Sequence, residues 1–500
     1  MNIKFQSEQL HAFEVLSHDR NPLHHDIVYS RSTQFGRPII FGMCGVLLGL
    51  GRWAGGRAFR LIRMQGRFIK PLFEFVEYEL EICEVGNEVK IQYLEEGEVK
   101  MGFRFVWENH EVALGQTLPR QTLSTFRPLA VAVDADLQES LAYWRGLDRS
   151  YSIRTESLSQ LLPKLGLRSE QIPLDQLNAL MGSSYLVGME VPGRQALYSG
   201  FDFEFMASSA EVGSADFQFH NVTADFDVRF NRISLSGWGS GMRSFTLRAF
   251  QRPKHVCYEI EDIHRAGGHS EAYKGKVVFV SGATRGFGAV LAKLLALQKA
   301  KVLINYRSLR AEAEAIAAEV RPWNPQIFPI AGDVSKPEDC QQIRAEIMSQ
   351  FGRIDLLVSN AFPQILAQAF LEQSSLKFLQ FLKQSVSTTV TLLYELLPLV
   401  SQGGVVMLIS TCYTREPVAR FSHYVAAKSC LEGLMRSLAL EFPNQKFVIV
   451  RPPRMLTDQT NQVFDLSPPL SAVSVARELM ERLGQIEYSS NLAELDLGRN

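Results

Sequence analysis

Residues 276–306 read KVVFVSGATRGFGAVLAKLLALQKAKVLINY, and this run decides the fold of the C-terminal half of the chain. Lys276-Val277-Val278-Phe279-Val280 is a short apolar strand, and Ser281 to Gly288 is a turn carrying three glycines. AVLAKLLALQKA then has the composition of a helix, and Val302 to Tyr306 is a second strand. Strand, glycine-rich turn, helix and strand in that order make a dinucleotide-binding βαβ unit. Gly282, Gly286 and Gly288 let the backbone approach a pyrophosphate, which the N-terminus of the following helix stabilises with its unpaired N–H groups. A glycine pattern alone is weak evidence; here the flanking elements have the right type and length.

Downstream, the spacing G-x-x-x-G-x-G is joined by Asp333-Val334, by Leu357-Val358-Ser359-Asn360-Ala361 at the end of another apolar run, and by Tyr424-Val425-Ala426-Ala427-Lys428. Together these resemble the short-chain dehydrogenase/reductase family. The resemblance implies an α/β doubly wound Rossmann-type parallel sheet over residues 273–500. It implies cofactor contacts from Ser281, Gly282, Thr284, Arg285, Gly286, Phe287, Gly288, Arg307, Asp333, Val334, Asn360, Tyr424, Lys428 and Thr457. A free phenol titrates near 10, roughly, so Tyr424 needs the Lys428 ammonium one helical turn on before it can exchange a proton with a carbonyl or alcohol. The family's catalytic Ser falls by position on Thr411, with Ser410 just before it, and either hydroxyl could orient a substrate carbonyl. Three further departures are Ser385 for the relay Asn, Phe362 for the Gly of N-N-A-G, and Pro453 for the Gly of the P-G loop before Thr457. The second strand ends Asn305-Tyr306-Arg307-Ser308 with no Asp for a ribose 2′-hydroxyl, while Arg285 and Arg307 suit a 2′-phosphate, which favours NADPH. The segment from Thr457 to Pro469 is short for a substrate lid, and Asn491 to Gly498 reads as the last strand.

Upstream, IHRAGGHSEA (263–272) is polar and Gly-bearing and reads as a linker. Before it, residues 165–262 run from a helical stretch, DQLNALMGSSYLVGM, into strand-like runs such as FDFEFM, SADFQFHN and RSFTLRAFQRP. Asp202 and Glu204, alternating on one of those runs, read as solvent-facing. Residues 126–164 read as a connecting segment. Before that, the apolar stretch Ile39 to Leu50 reads as a buried helix, followed by alternating runs over FRLIRMQGRFIKPLFEFVEYELEI, VKIQYLEEG and VKMGFRFVWE. A helix followed by an antiparallel sheet thus occurs twice, in residues 1–125 and again in 165–262, as a tandem repeat would. An unrelated small sheet domain is the alternative for the second copy.

The first copy carries a chemical constellation, SHDRNPLHHDIVYSRSTQFGRPIIFGM from Ser17 to Met43. Asp19 and His24 can hold one water and pass protons in opposite senses. The N–H of Gly42, at the start of the helix, can hydrogen-bond a thioester oxygen as it gains enolate charge. Taken alone, the residues also fit an ordinary helix cap, an Asn-Pro turn and surface histidines. Asp19-Arg20-Asn21-Pro22-Leu23-His24 followed by Phe35 to Met43 resembles the signature of the MaoC-like (R)-specific enoyl-thioester hydratases. That resemblance implies an α+β hot-dog fold, tandem in this chain, with Asp19 and His24 as the catalytic pair and Gly42 as the oxyanion donor. Phe41 stands where the family usually has His, and His18 where it usually has Gly. The second copy has no Asp-x-Asn-Pro-x-His.

The 500 residues are about three folding units' worth, with 46% hydrophobic and 21% charged residues. A net charge of −1 gives no reason to expect nucleic acid, and six scattered cysteines form no C-x-x-C or His-rich metal motif. The N-terminus has no charged segment followed by a long apolar run, and Ile39 to Leu50 is too short to cross a bilayer, so a cytoplasmic protein without a membrane partner is expected. The combined expectation is a bifunctional enzyme that reduces a 3-oxoacyl thioester with NADPH and dehydrates the (3R)-hydroxyacyl product, the substrate riding on acyl carrier protein or CoA and the chain forming a homodimer or higher oligomer. Hydration followed by NAD(P)-linked oxidation, and a hydratase carrying a cofactor-binding scaffold, remain alternatives.

Overall fold

A computed structural model describes residues 1–110, 126–134, 144–206, 216–266, 271–462, 468–486 and 490–498. The chain divides into two compact units, Met1–Lys254 with Gln462–Phe464, and His255–Asn461 with Asp465–Asn500.

In the first unit, ten strands form a single sheet: β1 Asn2–Lys4, β2 Phe59–Phe68, β3 Glu77–Val85, β4 Glu88–Glu95, β5 Glu98–Asn109, β6 Leu147–Tyr151, β7 Ala196–Phe205, β8 Phe217–Asp227, β9 Arg232–Gly239 and β10 Met242–Gln251. Their order is β1-β3-β4-β5-β2-β7-β10-β9-β8-β6, antiparallel throughout. Outward from the β2–β7 seam, each half shows its first long strand, then its fourth, third and second, then a short strand from upstream. The alternation that sets β3 is plain in its burial, with Tyr78 and Leu80 inward and Glu77, Glu79 and Glu81 outward. Each half packs a mostly apolar helix on its own strands: Gly42–Ala54, whose Gly45 carbonyl accepts from the Tyr93 hydroxyl at 2.7 Å, and Leu174–Tyr185, whose Gly182 abuts Phe219.

Several sequence expectations shift here. The first helix starts at Gly42 rather than Ile39, because Pro38 and the following residues run extended. Phe75, which falls within one of the alternating runs, is exposed at φ 60° in the loop before β3. The 126–164 segment is more than a connection, since it supplies β6 to the sheet edge. Asp202 and Glu204 are solvent-facing, Asp202 pairing with Arg248 at 2.5 Å.

The second unit begins at His255, ahead of the 263–272 linker reading. The helix Ile260–Arg265 runs into that segment and buries Ile260 and Ile263 in this unit's core. Its parallel sheet comprises β11 Val277–Val280, β12 Lys301–Tyr306, β13 Ile327–Ala331, β14 Ile354–Ser359, β15 Val400–Ile409 and β16 Lys446–Arg451. A two-stranded pair follows, β17 Met455–Leu456 with β18 Leu470–Ser471, and then β19 Leu492–Asp496 completes the main sheet. The order is β13-β12-β11-β14-β15-β16-β19. The chain reverses direction across the sheet between β11 and β14, the crevice where such folds bind ligands. Part of the short segment expected as a lid, 463–467, lies outside the described residues.

One ion network ties this sheet to the helix Ser422–Glu441. Arg451, with no exposed side-chain surface, grips Glu432 bidentately at 2.8 and 2.6 Å and also reaches Glu494 at 2.8 Å and Asp496 at 3.2 Å. Removing one member of a buried pair strands the other charge. Glu432→Ala is therefore expected to lower the stability of the second unit by about 3–5 kcal/mol, read as lost hydrogen-exchange protection of the Lys446–Arg451 amides. Arg415→Ala, removing an exposed partner of Glu494, should cost less than about 1 kcal/mol.

Candidate active sites

In the first unit, the helix Ser7–Ser17 ends at His18 in the left-handed conformation (φ 56°), and the next residue, Asp19, is fully buried. Its two oxygens have separate partners: Oδ1 accepts from the Asn21 N–H at 3.1 Å and Oδ2 from the Ser184 hydroxyl at 2.7 Å. Burial pushes the carboxyl up to about 7, against the pull of those two donors. Asn21 pins the turn, its amide donating to the carbonyls of Gly188 and Gly193 at 2.8 Å each while its oxygen accepts from Leu23 N–H. Those carbonyls and Ser184 come from the second half of the sheet unit, where a π-helical turn, Leu186–Glu190, extends the helix Leu174–Tyr185. Gly188 sits so close that a Cβ there would lie 2.6 Å from Asp19 Oδ1, and no side chain fits.

His24 Nδ1 lies 2.9 Å from the Ile39 carbonyl. A carbonyl only accepts, so Nδ1 carries the proton and Nε2 keeps its lone pair. Burial drops the imidazole to about 3, despite the Ile39 hydrogen bond. Phe41 stacks on this ring with centroids 4.0 Å apart. Gly42 opens the helix Gly42–Ala54, its N–H in the first turn, and a Cβ there would strike the Phe68 ring at 2.7 Å. The turn thus carries a carboxyl titrating near neutrality and a neutral imidazole five residues on, and no hydrogen bond joins Asp19 to His24 among the described residues. Ser184 and Gly188 escaped the sequence reading because the second copy lacks the motif; the small residues interrupting its apolar helix were the only trace.

In the second unit, the turn after β11 is built for close approach. Gly282 has φ 62°, and a Cβ on Gly288 would lie 2.5 Å from both the Gly282 carbonyl and Asn360 Nδ2. Ser281 Oγ accepts from the N–H groups of Asn360 and Ala361 at 2.9 and 3.0 Å, and the Asn360 amide donates to the Ser281 and Gly282 carbonyls at 3.1 Å each. The glycine turn and the end of β14 are so locked together. Thr284 leads to Arg285, the extended, exposed N-cap of the helix Gly286–Leu297, and the Thr457 methyl lies 3.6 Å from where a Gly286 Cβ would sit. Arg307 is exposed and 3.9 Å from Asp333. The Asn305 side chain is turned inward to Gly282 N–H and the Gly332 carbonyl, leaving no acid at the end of β12. This cradle, with an unobstructed helix N-terminus and two arginines, fits a dinucleotide. Two assigned side chains do not join it: Phe287 and Val334 are buried in the core, and only their backbones remain available.

The Tyr424 hydroxyl shares a hydrogen bond with Thr411, while burial holds its phenol above the usual range. Ser410, the other candidate hydroxyl, is committed elsewhere, donating to Glu432 at 2.6 Å deep in the core. Lys428 is buried, its ammonium 2.7 Å from the Ile409 carbonyl and 3.7 Å above the Phe362 ring; burial drops it to about 7, and Glu432 opposes that. No hydrogen bond joins the Lys428 ammonium to the Tyr424 hydroxyl among the described residues. Ser385 is fully buried with no partner for its hydroxyl among the described residues.

The sequence of residues 276–466 matches the family model for short chain dehydrogenases. This half of the chain is a short-chain dehydrogenase/reductase domain. The human dehydrogenase/reductase SDR family member 2, mitochondrial, is 28% identical over 254 residues, 49% of this chain and 89% of that one. The 3-oxoacyl-[acyl-carrier-protein] reductase FabG of Staphylococcus epidermidis is 27% identical over 196 residues, 38% of this chain and 79% of that one. A solved short-chain dehydrogenase/reductase of Serratia marcescens is 24% identical, with a TM-score of 0.42, covering 45% of this chain and 97% of that one. No helix among the described residues is long and apolar enough to cross a membrane.

The burial of Asp19 has a measurable cost. A carboxyl raised from 3.8 to about 7 on folding destabilises the folded state only where the unfolded chain is ionised, so the penalty is absent below pH 4 and grows as pH rises to 7. Asp19→Asn is expected to be more stable than the parent by about 4 kcal/mol at pH 8, a difference that nearly closes by pH 4, as checked by urea unfolding at both pH values.

Proposed function

We propose that the chain is a bifunctional acyl-thioester enzyme. The short-chain dehydrogenase/reductase domain reduces a 3-oxoacyl thioester with NADPH, and the first unit, a double MaoC-like hot-dog, dehydrates the (3R)-hydroxyacyl product to a trans-2-enoyl thioester. The observation that carries this reading is the geometry of Asp19 and His24: a buried carboxyl held by the Ser184 hydroxyl and the Asn21 N–H, and a buried imidazole whose Nδ1 faces the Ile39 carbonyl and leaves Nε2 to act as a base. The repeated strand order with one buried helix per half supports the hot-dog assignment.

In the dehydratase, His24 Nε2 takes the proton from the carbon next to the thioester, and the protonated Asp19 gives its proton to the departing hydroxyl. The Gly42 N–H, at the positive end of its helix, stabilises the thioester oxygen as it becomes enolate-like. Ser184 and Asn21 hold the carboxyl in place through both steps. In the reductase, Thr411 orients the substrate carbonyl and Tyr424 delivers the proton. Ser281, Gly282, Gly286, Gly288, Asn360 and Thr457 would hold the dinucleotide, with Arg285 and Arg307 favouring a 2′-phosphate. NADPH, when bound, supplies the hydride. A carrier-borne acyl group reduced in one unit meets the second site at the raised effective concentration that a shared chain provides.

Incubating the parent with a 3-oxoacyl thioester on acyl carrier protein or CoA plus NADPH, with products followed by mass, should give the enoyl thioester. Asp19→Asn should stop at the 3-hydroxyacyl stage and Tyr424→Phe at the 3-oxo substrate; reduction unaffected by Tyr424→Phe would refute the reductase assignment. Dehydration and hydration neither take up nor release a proton overall, so both need the same single proton on the Asp19–His24 pair. Their kcat/KM values are expected to fall together, about tenfold per pH unit above about 7.

A further inference from the structure

Phe362 follows Asn360 and Ala361 at the end of β14, where the resembling family carries glycine. Its ring meets both working groups of the reductase. The Lys428 ammonium sits over its face at 3.7 Å, and the Tyr424 ring stands edge-on to it, centroids 5.5 Å apart at 73°. Phe381 contacts the same ring in T-shaped geometry at 5.9 Å, so the ring is held in place. An ammonium has three N–H donors. Here one goes to the Ile409 carbonyl and the cation rests against the negative face of the phenyl ring, an attraction that strengthens in a desolvated setting. The phenol, in turn, feels the Thr411 hydroxyl, and no hydrogen bond joins it to Lys428 among the described residues.

We propose that Phe362 is a positioning residue that holds the Lys428 ammonium on its ring and off Tyr424, so that the dinucleotide must draw Lys428 away before the pair can work. The proposal rests on the reductase reading of this site. Its energetic logic is a pre-equilibrium: if the binding-competent arrangement of Lys428 is a minor state, the apparent Kd is raised by the inverse of its population. Releasing Lys428 in advance removes that factor. Bulk and aromaticity make different predictions, because a leucine fills much of the space of the ring but presents no negative face.

The test is equilibrium titration of the full-length protein with NADPH, followed by cofactor fluorescence, for the parent, Phe362→Leu, Phe362→Tyr and Phe362→Gly. Phe362→Leu and Phe362→Gly are expected to bind about tenfold more tightly than the parent, with Phe362→Tyr close to it. A second readout follows Tyr424 itself. With the ammonium free to approach, the phenol ionises more readily, so the rate of 3-hydroxyacyl oxidation with NADP⁺ should rise at lower pH in Phe362→Leu than in the parent. Equal affinity and equal pH profiles for the parent and Phe362→Leu would overturn the proposal, as would a gain confined to Phe362→Gly, which would reduce Phe362 to a matter of space. Binding by none of the proteins would instead remove the reductase reading, and this proposal with it. Should Phe362→Gly fail to fold, the comparison of Leu with Tyr still decides.

Discussion

A guanidinium with no exposed surface is costly unless carboxylates surround it, and the reductase half is arranged around that demand. Arg451 ends β16, and the groups that satisfy it come from two places: Glu432 on the helix that carries Tyr424 and Lys428, and Glu494 and Asp496 on the final strand. Glu432 also accepts from Ser410 at the end of β15 and from Thr414 in the turn beyond it. Burial alone would raise this carboxyl, yet Arg451 and the two hydroxyls hold it below the usual range. Thr411 is thereby fixed between a committed Ser410 and a committed Thr414, and Tyr424 lies two turns of helix before Glu432. The register between the phenol and its hydroxyl partner follows from an ion network that takes no part in the chemistry.

The first unit buries a carboxylate the opposite way. Asp19 has no cation against it, only a serine hydroxyl and a backbone N–H, and it responds by holding its proton to about pH 7. Two hydrogen bonds compensate part of the desolvation and a guanidinium would have compensated more, leaving an ordinary ionised acid. The half of the sheet without a catalytic motif supplies the environment that makes this possible. Ser184, the bare Cα of Gly188, and the carbonyls that receive Asn21 all belong to it. Its π-helical turn is the local distortion that brings backbone carbonyls and a glycine against the acid.

How much of this could be read from the chain alone depended on the range of the interaction. The glycine turn, the strands with clear alternation and the Tyr424–Thr411 spacing are local or periodic, and each lies where the residues indicated. The start of the first helix moved from Ile39 to Gly42 because apolar composition marks a buried segment but not its first hydrogen-bonded turn. Phe287 and Val334 were assigned to the cofactor by position, and the fold buries their side chains in the core, which leaves their backbones for that role. Ser410 and Thr411 are adjacent and chemically alike; only Glu432, 22 residues on, distinguishes them. The second copy was read to 262 and a linker from 263, whereas Ile260 and Ile263 fill the second unit's core, a long-range contact that composition does not show.

Lys428 and Asp19 share a cause and differ in sign. Desolvation disfavours the charged form of any group, so it lowers a buried ammonium and raises a buried carboxyl, and here both arrive at about 7. Each therefore has both forms in comparable amounts near neutrality, the charged Lys428 and the protonated Asp19 prevailing below about 7. Glu432 holds back part of the fall at Lys428, and a serine hydroxyl and a backbone N–H hold back part of the rise at Asp19. On the proposed reading, in which the two sites act in succession, this shared cause gives them a common working range. An added carboxylate near Lys428 or an added cation near Asp19 would move the two titrations in opposite directions, Lys428 remaining charged to higher pH and Asp19 losing its proton at lower pH.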